Sequence, residues 1–135
     1  MPTAYPWGDD IKRDGKTMAN CNGCGSEWDN RKAAPVDRFE ANSFGLYNMV
    51  GNVFSWVEDC YHPSYDHAPQ DGSAWITADC DQRVRRGGSW SRLPRLLRSA
   101  FRNHGATNDR LNDLGFRVGR TLSARAGAIT ISPDH

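Results

Sequence analysis

Turn-forming residues interrupt this chain so often that no long helix fits into it. Gly, Pro, Asn and Asp recur along the whole sequence of 135 residues, and the apolar runs between them are short. This pattern is typical of ordered loops joined by short strands. Alternating apolar and polar residues predict strands at 53–58, 83–86, 97–102 and 115–120. A short helix is predicted at 43–49, with Asn42 or Ser43 as its cap.

The length is that of one domain, large enough to bury a core without help from metals or disulfides. No run approaches the ~20 apolar residues of a membrane helix, and the start of the chain lacks the layout of a signal peptide. We therefore expect no membrane segment in this chain. A leader removed earlier would leave no trace, so the compartment stays open.

Positive and negative charges are segregated along the sequence. Ten arginines lie between Arg83 and Arg120, where the only acids are Asp109 and Asp113, whereas thirteen acids precede Arg83. Nucleic-acid-binding patches usually mix Lys with Arg on an exposed face, but this stretch has no Lys and alternates Arg with apolar residues. The arginines are therefore interpreted as structural or ligand-facing, and no nucleic-acid partner is expected.

The four cysteines favour neither a zinc site nor a redox site. Cys21 and Cys24 form one close pair, but no second close pair exists, as a zinc ribbon would need. Glycines at 23 and 25 favour a loop over the helix that a redox pair usually opens. Local disulfides and buried thiols remain open for all four cysteines. The four histidines, at 62, 67, 104 and 135, lack the spacing of a metal site.

Four blocks resemble the formylglycine-generating-enzyme, or sulfatase-modifying factor, family in their order and spacing. They are Tyr5-Pro6-Trp7-Gly8, Ala34-Pro35-Val36, Gly45-Leu46-Tyr47-Asn48-Met49-Val50-Gly51-Asn52-Val53 running on to Trp56, and Arg86-Gly87-Gly88-Ser89-Trp90 with a closing Gly115-Phe116-Arg117. The resemblance implies a C-type-lectin-like α+β fold, with a small twisted antiparallel sheet, few short helices and much ordered loop. The core would span 1–120, and 121–135 would form a C-terminal tail. Trp56, Trp90 and Phe116 are expected to form an aromatic core.

The same resemblance sets an expectation about catalysis. In the family's oxidase, two cysteines shortly after the Gly-Gly-Ser block bind copper, because Cu(I) prefers thiolates. Here the residues that follow Trp90 are Ser-Arg-Leu-Pro-Arg-Leu-Leu, and no cysteine comes after Cys80. We therefore expect no copper and no catalytic residues, and predict a non-catalytic ligand-binding domain. The alternatives are an oxidoreductase like the formylglycine-generating enzyme and an accessory domain of a longer signalling protein.

The segment 91–113 resembles the variable region of diversity-generating-retroelement target proteins, in which adenine mutagenesis of Asn codons produces many residue types but not Lys, Met, Trp, Gln or Glu. None of the 24 residues from Ser91 to Leu114 belongs to these five types, which account for 16 of the other 111. The resemblance therefore implies that the chain is a variable protein of such a retroelement, which displays 91–113 as a variable surface and binds an unknown protein or small-molecule ligand. The predicted ligand-binding residues are Ser91, Arg92, Leu93, Arg95, Leu96, Phe101, His104, Gly105, Ala106, Leu111, Asn112 and Asp113.

The resemblance also implies structural calcium, a hard cation that takes oxygen ligands. One set of ligands would be the side chains of Asn20 and Asp29 with the carbonyl oxygens of Cys21 and Arg31. A second set would be Asn48 with the backbone oxygens of Gly51 and Val53. In the second set, Ser55 stands where the family has Glu, which weakens the expectation for that site.

Overall fold

A computed structural model describes residues 2–120 and Leu122. Its strands are β1 (Lys12–Arg13), β2 (Lys16–Thr17), β3 (Phe54–Cys60), β4 (Gln82–Arg86), β5 (Arg102–Ala106) and β6 (Leu114–Gly115), and a 3₁₀-helix spans Pro94–Leu97. β1 and β2 form a hairpin of their own. The other four strands form one sheet in the order β5-β4-β3-β6, and ordered loops make up most of the remaining described chain.

The register of the sheet decides which side chains share a side. β3 runs antiparallel to β4 with Trp56 opposite Arg85, and β4 runs antiparallel to β5 with Arg85 opposite Asn103. Residues directly opposite each other in an antiparallel pair point to the same side. One side of the sheet therefore carries Trp56, Arg85 and Asn103. The other side carries Val84 and its partner on β5, His104.

The interior forms where the 3₁₀-helix meets the loops. Leu97 is completely buried and packs in one cluster with Tyr5, Ala19, Cys21, Cys24 and Val50. Phe54, also completely buried, and Val84, which is 1% exposed, anchor β3 and β4. Disulfides join Cys21 to Cys24 and Cys60 to Cys80. These two bonds use all four cysteines of the chain.

The predicted fold class is confirmed, since the molecule is a curled sheet with few helical residues and long ordered loops, as in C-type-lectin-like α+β proteins. The strands predicted at 53–58 and 83–86 correspond to β3 and β4. No helix in the described residues is long and apolar enough to cross a membrane. Apart from Leu122, the predicted tail at 121–135 lies outside the described residues.

The helix predicted at 43–49 is wrong, because this segment forms turns. The Asn42 side chain accepts hydrogen bonds from the amides of Phe44 and Leu46 at 2.9 and 3.0 Å. Gly45 adopts a positive φ of 79°, outside the helical region. The side chain that was predicted to cap a helix therefore stabilises a tight turn instead.

Two predicted strands are also wrong in extent. Pro94, whose ring fixes φ near the helical value, starts a 3₁₀-helix that places Leu97 in the core, and β5 begins only at Arg102. Near the C-terminal end of the core, only Leu114–Gly115 pairs, in parallel with β3. Phe116 and Val118 beyond it are 75% and 89% exposed.

The predicted aromatic core is corrected in the same region. Phe116 lies on the surface, and Trp56 and Trp90 are half-buried. The buried ring of β3 is Phe54, two residues before Trp56 on the same side of the strand.

The position of the Leu97 side chain in the core predicts a steric clash with any side chain introduced at Gly88. A Cβ at Gly88 would lie 2.5 Å from Leu97 Cδ1, whereas at Gly72 nothing lies within 4 Å of that position, and φ is positive at both glycines. We expect Gly72→Ala to cost about 1 kcal/mol of backbone strain. Gly88→Ala should cost about 1–3 kcal/mol more because it overpacks the core. Chemical denaturation of the two variants measures the difference, and equal losses would contradict this packing.

Candidate functional site

An open groove of about 500 Å³ lies beside β3 and the loop that follows β5. Its lining combines residues of β3, of that loop, and of β6 with the residue after it: Trp56, Asp109, Arg110, Leu111, Asn112, Leu114, Gly115 and Phe116. Leu111 is 48% exposed and Phe116 75% exposed, so the rim is accessible. The groove offers apolar surface together with hydrogen-bonding groups, as ligand sites commonly do.

Arg85 does not line the groove, but it contacts Trp56, which does. It is 8% exposed, and its guanidinium carbon is 5.9 Å from the Trp56 ring centroid and 5.3 Å from that of Phe54. Its Nε donates to Asn103 Oδ1 at 3.1 Å, while its buried Nη1 has no hydrogen-bond partner among the described residues. A permanently charged donor next to Trp56 thus has no hydrogen-bond partner among the described residues.

Arg92 approaches the same buried ring. Its guanidinium carbon lies 5.6 Å from the Phe54 centroid, and its buried Nε also finds no hydrogen-bond partner in the described chain. The backbone of Arg92 is fixed, because its carbonyl oxygen accepts a 2.8 Å hydrogen bond from the Asn22 amide. The buried Phe54 ring therefore contacts the guanidinium groups of both Arg85 and Arg92.

Asp113 ties the two ends of the predicted variable segment together. Its Oδ2 accepts hydrogen bonds from Ser89 Oγ at 2.8 Å and from Ser91 Oγ at 3.2 Å. Its carbonyl oxygen accepts from the Phe54 amide at 2.7 Å. Asp113 is 7% exposed, so its carboxylate holds the scaffold together instead of lying on the exposed surface as predicted.

The predicted ligand-binding residues divide by burial. Gly105 is buried like Asp113, and a Cβ there would lie 2.7 Å from Asp109 Oδ2, so it is not a surface position either. The exposed members are Leu93, Arg95, His104, Leu111 and Asn112, and the half-buried members are Ser91, Arg92, Leu96, Phe101 and Ala106. The segment therefore alternates between fixed and exposed positions.

The structure does not bring all of these residues to one place. Leu111 and Asn112 line the groove, whereas His104 lies on the other side of β5 and stacks on Tyr61 with ring centroids 3.8 Å apart. Around Leu93 and Arg95, the chain borders the N-terminal segment, since Tyr5 Oη donates to the Pro94 carbonyl oxygen at 2.9 Å. The predicted residues thus lie in three separate zones, one of which includes the groove.

The first predicted calcium set is partly assembled. The Ser26 hydroxyl lies 3.2 Å from Asn20 Oδ1 and 2.6 Å from Asp29 Oδ1, so these two oxygens approach one point. However, the Asp29 carboxylate also accepts hydrogen bonds from the amides of Gly23, Gly25 and Ser26. A calcium ion would have to replace some of these bonds, and its binding here stays a prediction.

The second predicted set has a less suitable environment. Asn48 Nδ2 donates to the Val36 carbonyl oxygen at 2.8 Å. Asn48, Val53 and Ser55 line a separate groove of about 420 Å³ whose lining includes Arg117 and no carboxylate. The positive charge of Arg117 and the lack of a carboxylate disfavour binding of a divalent cation here. Only the first set therefore remains a candidate calcium site.

Arg85 and Asn103 are the site residues that the sequence did not identify. Arg85 belongs to the arginine-rich stretch that was interpreted as structural or ligand-facing. That stretch was the sequence feature that pointed to Arg85. Its place under Trp56 depends on the register between β3 and β4, and this register shifts between Trp56 and Cys60. A shift of this kind cannot be read from alternation alone.

The hydrogen bonds of Asp29 predict a pH-dependent contribution to stability. Partial burial raises the pKa of Asp29, but hydrogen bonds from Ser26 and the Gly25 amide outweigh this effect, and the net pKa lies below the ordinary 3.8. A carboxylate whose pKa is lower in the folded state stabilises the fold at pH values above its unfolded-state pKa. This stabilisation is lost as the pH falls through the folded-state pKa.

We therefore expect Asp29→Asn to cost roughly 1–3 kcal/mol at pH 7. The difference from the unsubstituted protein should shrink as the pH falls below about 4, because the carboxylate is protonated first in the unfolded state and then, at lower pH, in the folded state. Denaturation curves at pH 7 and pH 3 measure this, with Asp37→Asn as the control at an exposed carboxylate. A cost that stays constant across this range would argue against the charged hydrogen bonds.

Known proteins similar to this chain include members of one family. The sulfatase-modifying factor enzyme 1-like domain pattern (FGE-sulfatase) matches residues 2–122. The chain is 36% identical to the serine/threonine-protein kinase pkn1 of Chlamydia caviae, over 89% of this chain and 21% of that protein. It is 27% identical to the formylglycine-generating enzyme of Streptomyces coelicolor, over 92% of this chain and 42% of the enzyme.

Two solved structures show the same architecture. PvdO from Pseudomonas aeruginosa superposes with a TM-score of 0.71 at 37% identity, over 82% of this chain and 43% of that chain. Treponema denticola variable protein 1 gives a TM-score of 0.59 at 26% identity, over 84% of this chain and 41% of that chain. The chain thus spans less than half the length of each of these relatives.

Proposed function

The chain belongs to the sulfatase-modifying factor enzyme 1-like family, and we propose that it serves there as a ligand-binding domain and not as an oxidase. Its binding surface would be the segment 91–113 with the groove beside Trp56. The ligand is a protein or small molecule of unknown identity. The similarity to a variable protein of Treponema denticola supports this assignment.

The observation that carries the proposal is the contrast in burial within one segment. Leu97 is completely buried and Asp113 is 7% exposed, whereas Leu93 and Leu111 are 46% and 48% exposed. The buried side chains hold the backbone in place through packing and hydrogen bonds, whereas the exposed side chains do not pack in the core. A surface that varies on a fixed frame loses little conformational entropy when it binds.

The state of the cysteines argues against the oxidase alternative. Copper chemistry of the family's kind needs thiolates at the site. All four cysteines of this chain are paired as Cys21–Cys24 and Cys60–Cys80. After the Gly-Gly-Ser block, Ser91 donates a hydrogen bond to Asp113 and Arg92 contacts the Phe54 ring, so these residues offer hydrogen bonds but no soft ligand.

Calcium at Asn20 and Asp29 forms a structural part of the proposal. Bound there, the ion would supply positive charge that holds the loop containing the Cys21–Cys24 disulfide against Asn20. It would lie away from the groove and would act on stability. The carbonyl oxygens of Cys21 and Arg31 would be its further protein ligands.

An accessory role in a longer signalling protein is the second candidate. Two relatives named serine/threonine-protein kinase pkn1 match about nine-tenths of this chain but only 21% of their own lengths. A domain of this family thus occurs within much longer proteins. A binding surface and an accessory role are compatible, because the surface would then recruit a ligand for the longer protein.

The division into fixed and exposed positions predicts opposite tolerances. Arg95→Asn and Leu111→Asn should change the free energy of unfolding by less than about 0.5 kcal/mol, because both side chains are exposed. Leu97→Asn should cost roughly 4 kcal/mol or prevent folding, since it puts an amide into the apolar core. Thermal and chemical denaturation measure all three, and a large loss at Leu111 would contradict the proposed surface.

The non-catalytic assignment predicts a negative result in a turnover assay. The purified protein, supplied with copper or iron, should cause no oxygen-dependent loss of a peptide thiol above the metal-only background. Oxygen uptake and thiol titration measure this, with elemental analysis of bound metal alongside. Turnover that survives Cys21→Ser with Cys24→Ser but disappears with His104→Ala or Arg102→Ala would overturn the proposal.

A further inference from the structure

We propose that the outer edge of β5 binds an acidic, extended peptide segment of a partner protein, which adds to the sheet as a further strand. β5 is the outermost strand on its side of the described sheet, whose order is β5-β4-β3-β6. An edge strand presents unpaired amides and carbonyl oxygens, to which an extended chain can bind. This inference rests on the proposed binding function, because β5 lies within the segment 91–113.

The hydrogen bonds at the end of β5 decide which backbone groups point outward. The amide of Thr107, one residue after β5, donates to the carbonyl oxygen of Asp81, the residue before β4, at 3.1 Å. Along a strand, the backbone groups of successive residues point alternately to the two neighbouring strands. Because those of Thr107 point towards β4, those of Arg102, His104 and Ala106 point away from it.

Some of these outward groups have partners within the chain and others do not. The His104 amide donates to Asn103 Oδ1 at 2.6 Å. The Ala106 carbonyl oxygen accepts from the Asp109 amide at 3.0 Å. The amide and carbonyl oxygen of Arg102, the carbonyl oxygen of His104 and the amide of Ala106 make no hydrogen bond with the described residues. Two donors and two acceptors therefore remain for a strand that pairs with this edge.

The side chains beside this edge are accessible and of the types that bind proteins. His104 is exposed, and Arg102 is half-buried. The guanidinium carbon of Arg102 lies 4.3 Å from the ring centroid of Tyr65 and 5.5 Å from that of Tyr61, on which His104 stacks. Tyr65 is 61% exposed. Tyr and Arg are enriched in protein interfaces, so side chains of an added strand would find contacts here as well as backbone partners.

The charge of the two outer strands favours an acidic peptide. β4 contains three arginines and β5 one, and neither strand contains Asp or Glu. The salt bridges of the described chain, with nitrogen and oxygen within 4.0 Å, are those of Arg13 and Lys16 with Glu40, so none of the four has a carboxylate at that distance. Like charges on neighbouring strands are destabilising. The edge therefore disfavours a second copy of itself and favours a strand that carries carboxylates.

The test uses three synthetic peptides of about eight residues, long enough for a strand. In the first, Glu alternates with Thr; the second has Lys in place of Glu; the third is the acidic peptide with every backbone amide methylated. Each is titrated into the purified full chain at fixed ionic strength, and NMR measures the dissociation constant. The acidic peptide should bind at least about tenfold more tightly than either of the others. Equal binding of the methylated peptide would overturn the inference, because charge alone would then explain it.

Hydrogen exchange locates the contact without any substitution. On saturation with the acidic peptide, exchange of the Arg102 and Ala106 amides should slow by at least about tenfold, because both become donors to the added strand. The amide of the exposed Asp37 makes no hydrogen bond with the described residues and is the control, which should not change. Unchanged exchange at Arg102 and Ala106 would contradict the inference. Dimers of the chain alone with both amides protected would also contradict it, since a second copy would then occupy the edge.

A pair of charge variants tests the preference for acids. Arg102→Gln should weaken binding of the acidic peptide by about fivefold or more. Lys12→Gln removes one positive charge from an exposed residue of β1 and should weaken binding by less than about twofold, because solvent screens a distant charge. Equal losses would count against the inference. Peptide binding of this kind in a protein that also oxidises thiols would defeat the proposed function alone, whereas no peptide binding in a protein without thiol turnover would defeat this inference alone.

Discussion

The hydrogen bonds of Asn52 hold the rest of the structure in place. Its amide donates to the Asn20 carbonyl oxygen at 2.8 Å, and its carbonyl oxygen accepts from the Trp90 amide at 2.8 Å. Its side-chain oxygen accepts from the Ala34 amide at 2.7 Å, and its side-chain nitrogen donates to the Ala34 carbonyl oxygen at 3.2 Å. One residue, 5% exposed and at a positive φ of 66°, thus joins three loop segments that are distant in sequence.

This arrangement explains how a chain with short strands keeps an ordered site. The Asn52 bonds fix Trp90, and the hydrogen bonds of Asp113 to Ser89 and Ser91 fix both ends of the segment between them. Leu97 closes the middle of the same segment against Gly51 and Gly88. The exposed positions in 91–113, such as Leu93, Arg95, Leu111 and Asn112, could then differ without loss of the fold, as the proposed variable binding surface requires.

The sequence predicts the parts of this structure that depend on local pattern. Alternation identified β3 and β4, because both strands are long enough to show a period of two residues. It failed for β6, whose two residues pair in parallel with β3, and at 97–102, where Leu97 serves the core from a 3₁₀-helix. It also failed at 43–49, where the Asn42 side chain accepts amide hydrogen bonds in a turn.

The candidate site was predictable to a similar degree. The segment after Trp90 was identified from its residue types, and the arginine-rich stretch was recognised as structural or ligand-facing. Neither pattern reveals that Arg85 lies under Trp56 or that His104 points to the other side of β5, because both facts depend on strand register. Burial of Gly105 and Asp113 likewise follows from long-range contacts with Arg85, Ser89 and Phe54.

The measurement that tests the central claim most directly is a display selection from two matched libraries of this chain. One library randomises the exposed positions Leu93, Arg95, Leu111 and Asn112, and the other randomises the exposed positions Glu27, Ala33, Asp37 and Gln70 on other loops. Both are selected against the same panel of immobilised proteins. The account predicts folded, specific binders from the first library and far fewer from the second. Equal yields from the two libraries, or unfolded clones throughout the first, would contradict a binding surface carried on a fixed frame.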